Sequence, residues 1–210
     1  HLSLRRQRQM CIRDSNQGEA EVMVDHIIRH MTDHPNQSLG VVVLNQKQAT
    51  LLEDMCKDRI SSTPAASAYV QDWAERDNGL EPFFVKSLES VQGDERDCIF
   101  IGTVFGSDGS GKEVANNFGP INSVHGHRRL NVLFSRAKEQ IVTFTSMKPS
   151  DIRSRDEDGV TGKWMLRKWL EYSKTGHLDA GIATGKEADS DFELHVISVI
   201  ESLGYVACLL

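Results

Sequence analysis

Apolar residues along the chain switch between two spacings. From Glu19, the residues Ala20, Met23, Val24, Ile27, Ile28 and Met31 recur at helical intervals, and His34-Pro35-Asn36 ends the run because proline disfavours helix before it. Leu39 to Leu44 is apolar, β-branched and without alternation, the pattern of a strand buried on both faces. Gln46 to Ile60 is helical again, with Leu52, Met55, Cys56 and Ile60 on one side. A further helix, over about 65–76, comes after the Ser-Ser-Thr-Pro break. Phe83 to Val85 and Cys98 to Val104 read as buried strands. Leu130, Leu133, Phe134 and Ala137 predict a helix over 129–138, and Ile141 to Thr145 a strand directly after it. Lys163 to Lys174 is a packing helix, carrying Trp164, Leu166, Trp169, Leu170 and Tyr172. Ser190-Asp191 caps a last helix with Phe192, Val196, Val199, Ile200 and Leu203 on one face, and Tyr205 to Leu210 reads as the first strand of a further unit.

Short apolar strands alternating with helices imply an α/β fold: a parallel sheet with helices on both faces. Ligands of such sheets sit at the carboxyl ends of the strands, which points to the loops after Leu44, Val85 and Val104. The expected organisation is a leader over 1–15, an α/β lobe over 16–150, a helix and linker over 151–189, and the start of another domain over 190–210.

Composition narrows this little. A hydrophobic fraction of 39% and a charged fraction of 26% describe an ordinary globular chain. No apolar run approaches the ~20 residues that span a bilayer, so no membrane partner is expected. Four scattered cysteines without a CxxC pair fit a reducing, cytoplasmic setting. Residues 1–15 lack a periodicity that joins the helical run beginning at Glu19. They are read as translated adapter or vector sequence, the alternative being a basic arm for nucleic acid. They hold four arginines and one aspartate, so the remainder has 20 Lys+Arg against 29 Asp+Glu, and the net charge moves from −6 to −9. Any nucleic-acid contact must then be local.

Two segments carry candidate chemistry. In the 129–138 helix, Arg129 and Arg136 are seven apart, so they would share one side about 10 Å apart along the axis. Two forked cations beside a buried face suit an anion such as phosphate; a solvated surface helix is the alternative. The second segment runs from Val85 to Asp97. Gly93 permits a tight turn there, and Ser87, Ser90 and Gln92 offer neutral groups of the kind that bind phosphate or sugar. A plain capped turn is the alternative reading.

The wording of these segments is more specific than their spacing. R-R-L-N-V-x-x-S-R-A-K, over 128–138, closely resembles motif VI of superfamily-one helicases of the Upf-like branch, and S-x-x-x-x-Q-G-x-E-x-D, over 87–97, resembles their motif V. The resemblance covers about residues 16–175 and implies the second RecA-like lobe of such a helicase. It implies that Arg136 is an arginine finger for the γ-phosphate of ATP, that Glu95 touches the ribose, and that Gly93 and Arg129 belong to the nucleotide side. Ser87, Ser90 and Gln92 would lie along a single strand of DNA or RNA. ATP and Mg2+ would be held mainly by a first RecA-like lobe of the same protein, which this chain lacks, so the chain alone is expected to be inactive. Asn16 and Glu19-Ala20 match the family's N-x-x-E-A helix start, and Gln48 a family glutamine without an assigned role.

Three other features have competing readings. Gly106 to Lys112 fits G-x-x-x-x-G-K, which would make Lys112 the lysine of a stand-alone phosphate loop. Against that, Glu113 replaces the magnesium-binding hydroxyl, Asp108 adds negative charge, and Asn116 to Pro120 breaks the helix that should come next; a glycine-rich hairpin is the alternative. His125 and His127 lack ligand-spaced partners, so no metal site is expected. Ser190-Asp191-Phe192-Glu193 resembles the helix opening a restriction-endonuclease-like domain of the very-short-patch-repair type, with an ordinary amphipathic helix as the alternative. A non-catalytic binding or interaction module also remains open for the whole chain.

Overall fold

The computed structural model describes residues 15–91, 93–106, 114, 116–154, 159–175 and 204–209. The first helix, α1 (Gln17–Asp33), starts at Asn16, whose side chain accepts the Glu19 N–H at 3.1 Å. This satisfies one of the donors that every helix start leaves open. Strand β1 (Leu39–Val43) comes next, then α2 (Gln46–Ser62), capped in the same way by Asn45 onto the Gln48 N–H at 2.8 Å. Pro64 occupies the first turn of α3 (Pro64–Glu75), where its missing N–H costs nothing. Strand β2 (Phe84–Ser87) and strand β3 (Arg96–Gly102) are joined by residues 88–95 alone. Helix α4 (Gly126–Phe134), strand β4 (Ala137–Thr145), helix α5 (Gly162–Thr175) and strand β5 (Gly204–Leu209) complete the described elements.

The strands form one parallel sheet in the order β2-β1-β3-β4-β5. Their alternation divides the core into two layers. Leu39, Val41, Val43, Cys98, Phe100, Val142 and Phe144 pack with residues of α1, α2 and α3, including Met23, Ile27, Leu52, Tyr69 and Trp73. Val42, Ile99, Ile101 and Ile141 pack on the other side with Leu130, Leu133, Phe134, Met165 and Trp169 from α4 and α5. Phe134 and Trp169 stack at 3.9 Å between ring centroids, and the Trp169 indole N–H donates to the Thr143 hydroxyl at 3.0 Å. The expected α/β class, a RecA-like parallel sheet with helices on both faces, is the one observed.

Several boundaries differ from expectation, the third strand for one running over Arg96–Gly102 instead of 98–104. The predicted 129–138 helix stops at Phe134. The Arg136 N–H turns back to the Leu133 carbonyl at 3.1 Å, and the Arg136 carbonyl accepts the Arg96 N–H at 3.0 Å, which begins the β3–β4 ladder. Ala137 is therefore a strand residue, and its apolar match to the helix period had a second cause. Strand β2 also runs past Val85, so Ser87 is its last residue and is buried. Strand 205–210, expected to open a further unit, pairs parallel with β4 over residues 204–209. The capping segment 190–193, residues 1–14 of the leader expected over 1–15, and residues 107–113 lie outside the described residues.

Candidate functional site

Residues 88–95 must travel the length of the sheet, because β2 ends at its carboxyl edge and β3 starts at its amino edge. Ser87 is level with Val43 and Gly102, while Arg96 is level with Ala137. Six residues of strand separate these levels, about 20 Å. Leu88 and Val91 anchor the crossing segment in the layer under α4. Gly93 takes φ +91°, with open space where a Cβ would stand, so its backbone geometry is what requires glycine.

This crossing segment and the α4 region lie side by side, joined by two ion pairs. Arg129 Nη1 meets Glu89 Oε1 at 3.0 Å, and Arg136 Nη1 meets Glu95 Oε1 at 3.5 Å. The two arginines do not share a helix side as expected, since Arg136 lies beyond the helix end. They nevertheless address the same neighbouring segment. Arg136 also donates from Nε to the Val132 carbonyl at 3.0 Å and from Nη2 to the Ser135 hydroxyl at 3.2 Å. The helix thus ends on the side chain of a residue just beyond it, which takes up one of its open carbonyls.

The backbone beneath this pair is fixed by Arg96, a residue that no sequence pattern singles out. Its guanidinium is almost fully buried. It donates from Nε and Nη2 to the Pro82 carbonyl at 3.1 and 2.7 Å, from Nη1 to the Glu95 carbonyl, and stacks over Phe84 at 4.7 Å. Burial pushes its pKa down from the usual range. Its place in the charged run Asp94-Glu95-Arg96-Asp97 reads as solvent-facing, and the strand expected from the sequence begins only at Cys98.

At the opposite, carboxyl edge, the Ser87 hydroxyl donates to Gln46 Oε1 at 2.9 Å and lies 3.1 Å from the Ser90 hydroxyl. Ser90 and Gln46 are exposed, so buried Ser87 communicates with the surface through them. Gln46 has no distinguishing signal in the sequence, although it directly follows a capping asparagine. Gln92 lies outside the described residues.

The loops after Leu44 and Val104 and the Glu95–Arg136 pair lie at different edges of the sheet. The strand order reverses direction between β1 and β3, and a ligand crevice would open above their carboxyl ends. Among the described residues, polar groups of the chain itself meet there. The Asn16 N–H donates to Gln48 Oε1 at 2.8 Å, Gln48 Nε2 donates back to the Asn16 carbonyl at 2.9 Å, and Gln48 is fully buried. Glu19, also buried, accepts the Val104 N–H at 2.8 Å. The Glu95–Arg136 pair therefore lies at the amino edge, away from the loops after Leu44 and Val104, and only the serines lie near a predicted loop.

Glu19 is the most perturbed carboxyl described. Burial raises its pKa from 4.5 to about 7, against the bonds from Val104 and Thr103 that lower it. Val104 itself has φ +69°, an uncommon conformation for a β-branched residue. Among the described residues no group of His, Cys, Asp or Glu is arranged to hold a metal ion, and no helix is long and apolar enough to cross a membrane.

Comparison with known proteins agrees with this architecture. The AAA domain family matches residues 3–148. The chain is 32% identical over 174 residues, 79% of its length, to the uncharacterized ATP-dependent helicase MG140 of Mycoplasma genitalium. It is 34% identical over 139 residues, 65% of its length, to the MG140 homolog of Mycoplasma pneumoniae. These alignments span 14% and 11% of the two relatives.

Proposed function

The chain belongs to the AAA domain family, and from that premise we propose that it is the second RecA-like lobe of a superfamily-one, nucleic-acid-dependent ATPase. In this reading ATP lies between two lobes. A first lobe holds most of the triphosphate and its Mg2+. This lobe supplies Arg136 to the γ-phosphate, Glu95 to the ribose, and Ser87, Ser90 and Gln92 to a DNA or RNA strand. Arg129 and Gly93 shape the nucleotide edge.

The observation that carries the reading is the convergence of Glu95 and Arg136, 3.5 Å apart, from two separate segments onto one edge of the sheet. A guanidinium already held at its base by the Val132 carbonyl can stabilise charge that develops on transferred phosphate. The residues fit such a role for ATP. The nearby acids Glu89 and Glu95 both face arginines, so Mg2+ would be held by the first lobe.

The purified 210-residue chain is expected to show no strand-dependent ATP turnover, and robust turnover would overturn the proposal. In the Mycoplasma genitalium relative, changing the residue that aligns with Arg136 to alanine should slow turnover by about 10³-fold or more while leaving KM for ATP nearly unchanged. An unaltered rate would refute the finger assignment.

A further inference from the structure

We propose that Glu95 is a positioning residue for Arg136, holding its guanidinium against the chain when no nucleotide is present. What this hold does in a reaction rests on the ATPase reading above; the hold itself does not.

The geometry separates firmly tied backbones from a charged contact nearer the surface. The two backbones are tied directly, because the Arg96 N–H donates to the Arg136 carbonyl at 3.0 Å. On the Glu95 side, the buried Arg96 guanidinium fixes the Glu95 carbonyl and the Pro82 carbonyl together. Above that tie, the Glu95 side chain is 54% exposed and the Arg136 side chain 19% exposed, and their charged atoms stand 3.5 Å apart. The three nitrogens of Arg136 face three different acceptors: the Val132 carbonyl, the Ser135 hydroxyl and the Glu95 carboxylate. Of these, only Glu95 brings a charge, and it comes from a different segment. Glu95 thus adds the charged hold from outside to the two neutral bonds that the guanidinium makes within its own segment.

Magnitudes set the direction of exchange. An ion pair this open to water is weak. Phosphate, gripped in two places by a guanidinium, forms a stronger contact. A hydroxylated ligand drawing Glu95 away and an anion attracting Arg136 would then act together on one weak lock. In the proposed ATPase, occupancy of the ribose position would be the event that frees the finger.

The test uses the 210-residue chain without nucleotide. Phenylglyoxal modifies accessible guanidinium groups, and peptide mass spectrometry gives the rate at Arg136 relative to Arg29, an exposed arginine on α1. Glu95→Gln keeps the shape and removes the charge. It should raise the Arg136 rate about two- to fivefold, the population change an exposed ion pair can supply, with Arg29 unchanged. Equal rates in the two proteins would overturn the hold. A mutation-free arm guards against misfolding of the variant: taking the wild-type chain from low salt to about 1 M screens the pair, and should raise Arg136 reactivity while Arg29 stays level. A wild-type rate that does not respond to salt would also overturn it. Nucleotide is absent throughout, so failure here leaves the turnover test of the ATPase reading intact, and failure of that test leaves this one intact.

Discussion

Replacing Glu19 with glutamine should make the chain more stable at pH 8 and change it little at pH 5. Glu19 lies fully buried at the carboxyl edge of the sheet, with its pKa raised from 4.5 to about 7 by burial. The sign depends on which state holds the proton. Between those two values the folded chain keeps the proton and the unfolded chain releases it, so stability falls as pH rises from about 4.5 through about 7 and then levels off. At pH 5 the contribution is under about 1 kcal/mol; by pH 8 it approaches about 3 kcal/mol against the fold. For a chain of this size that is a difference of roughly 5–10 °C in Tm.

Glutamine keeps an oxygen for the Val104 N–H and places its amide against the Thr103 hydroxyl, which passes its own proton to Thr145 Oγ1 at 2.8 Å. The variant should therefore lose the pH dependence without losing the bonds. The comparison must be made between the two proteins at each pH. His30, on the same helix and also buried, has a pKa lowered by burial and contributes the opposite slope, with stability lost as pH falls below about 6.5. That slope cancels in the difference. Thermal unfolding at pH 5, 6, 7 and 8 decides the matter. If the two Tm profiles run parallel, Glu19 does not stay protonated in the folded chain and the reasoning fails.

The packing supplies two further predictions. Trp169→Ala removes the ring stacked on Phe134 and leaves the Thr143 hydroxyl without its donor, so it should cost about 3–5 kcal/mol; urea unfolding should show a lower midpoint at unchanged slope. Gly93→Ala forces a Cβ into a left-handed backbone with open space around it, so the cost should be only about 1–2 kcal/mol and local; hydrogen exchange should quicken over 88–96 and stay level in β1 and β4.

The layers of this fold were legible because they depend on periodicity. Val41 and Val42 point to opposite layers, and both are apolar because both layers are covered. The end of α4 was not legible for a related reason. Ala137 satisfies a helix period and a buried strand start equally well, and what separates them is the bond from Arg96 to the Arg136 carbonyl, a partner 40 residues away in sequence. The pairing of Arg136 with Glu95 depends on that same long-range register, so motif wording could suggest it but spacing could not. Arg96 gives no sign in sequence of being an organising residue, and Gln48 matched a family glutamine only without a role, because burial, not residue type, gives them their roles. Glu19 stands out only as part of a helix start, since nothing in the local pattern says that its carboxyl is turned inward against Val104.

The placement of the polar groups also constrains how the lobe could work. On the proposed reading the strand-side hydroxyls and the nucleotide-side pair lie at opposite edges of the sheet, about 20 Å apart. One short segment joins them, from Ser87 through Ser90 and Gly93 to Glu95. It is pinned in the middle by Leu88 and Val91, and along its flank Glu89 faces Arg129. A segment anchored by two apolar residues can shift as a unit more readily than it can stretch. A displacement at Ser90 then reaches Glu95 with few soft joints on the way, Gly93 being the principal one. Alanine at that joint should stiffen the link as well as strain it. In a two-lobe protein, such a variant should tighten the dependence of ATP turnover on the strand more than it alters binding of either ligand alone. A strand dependence that survives the change intact would mean that the two edges communicate by another route.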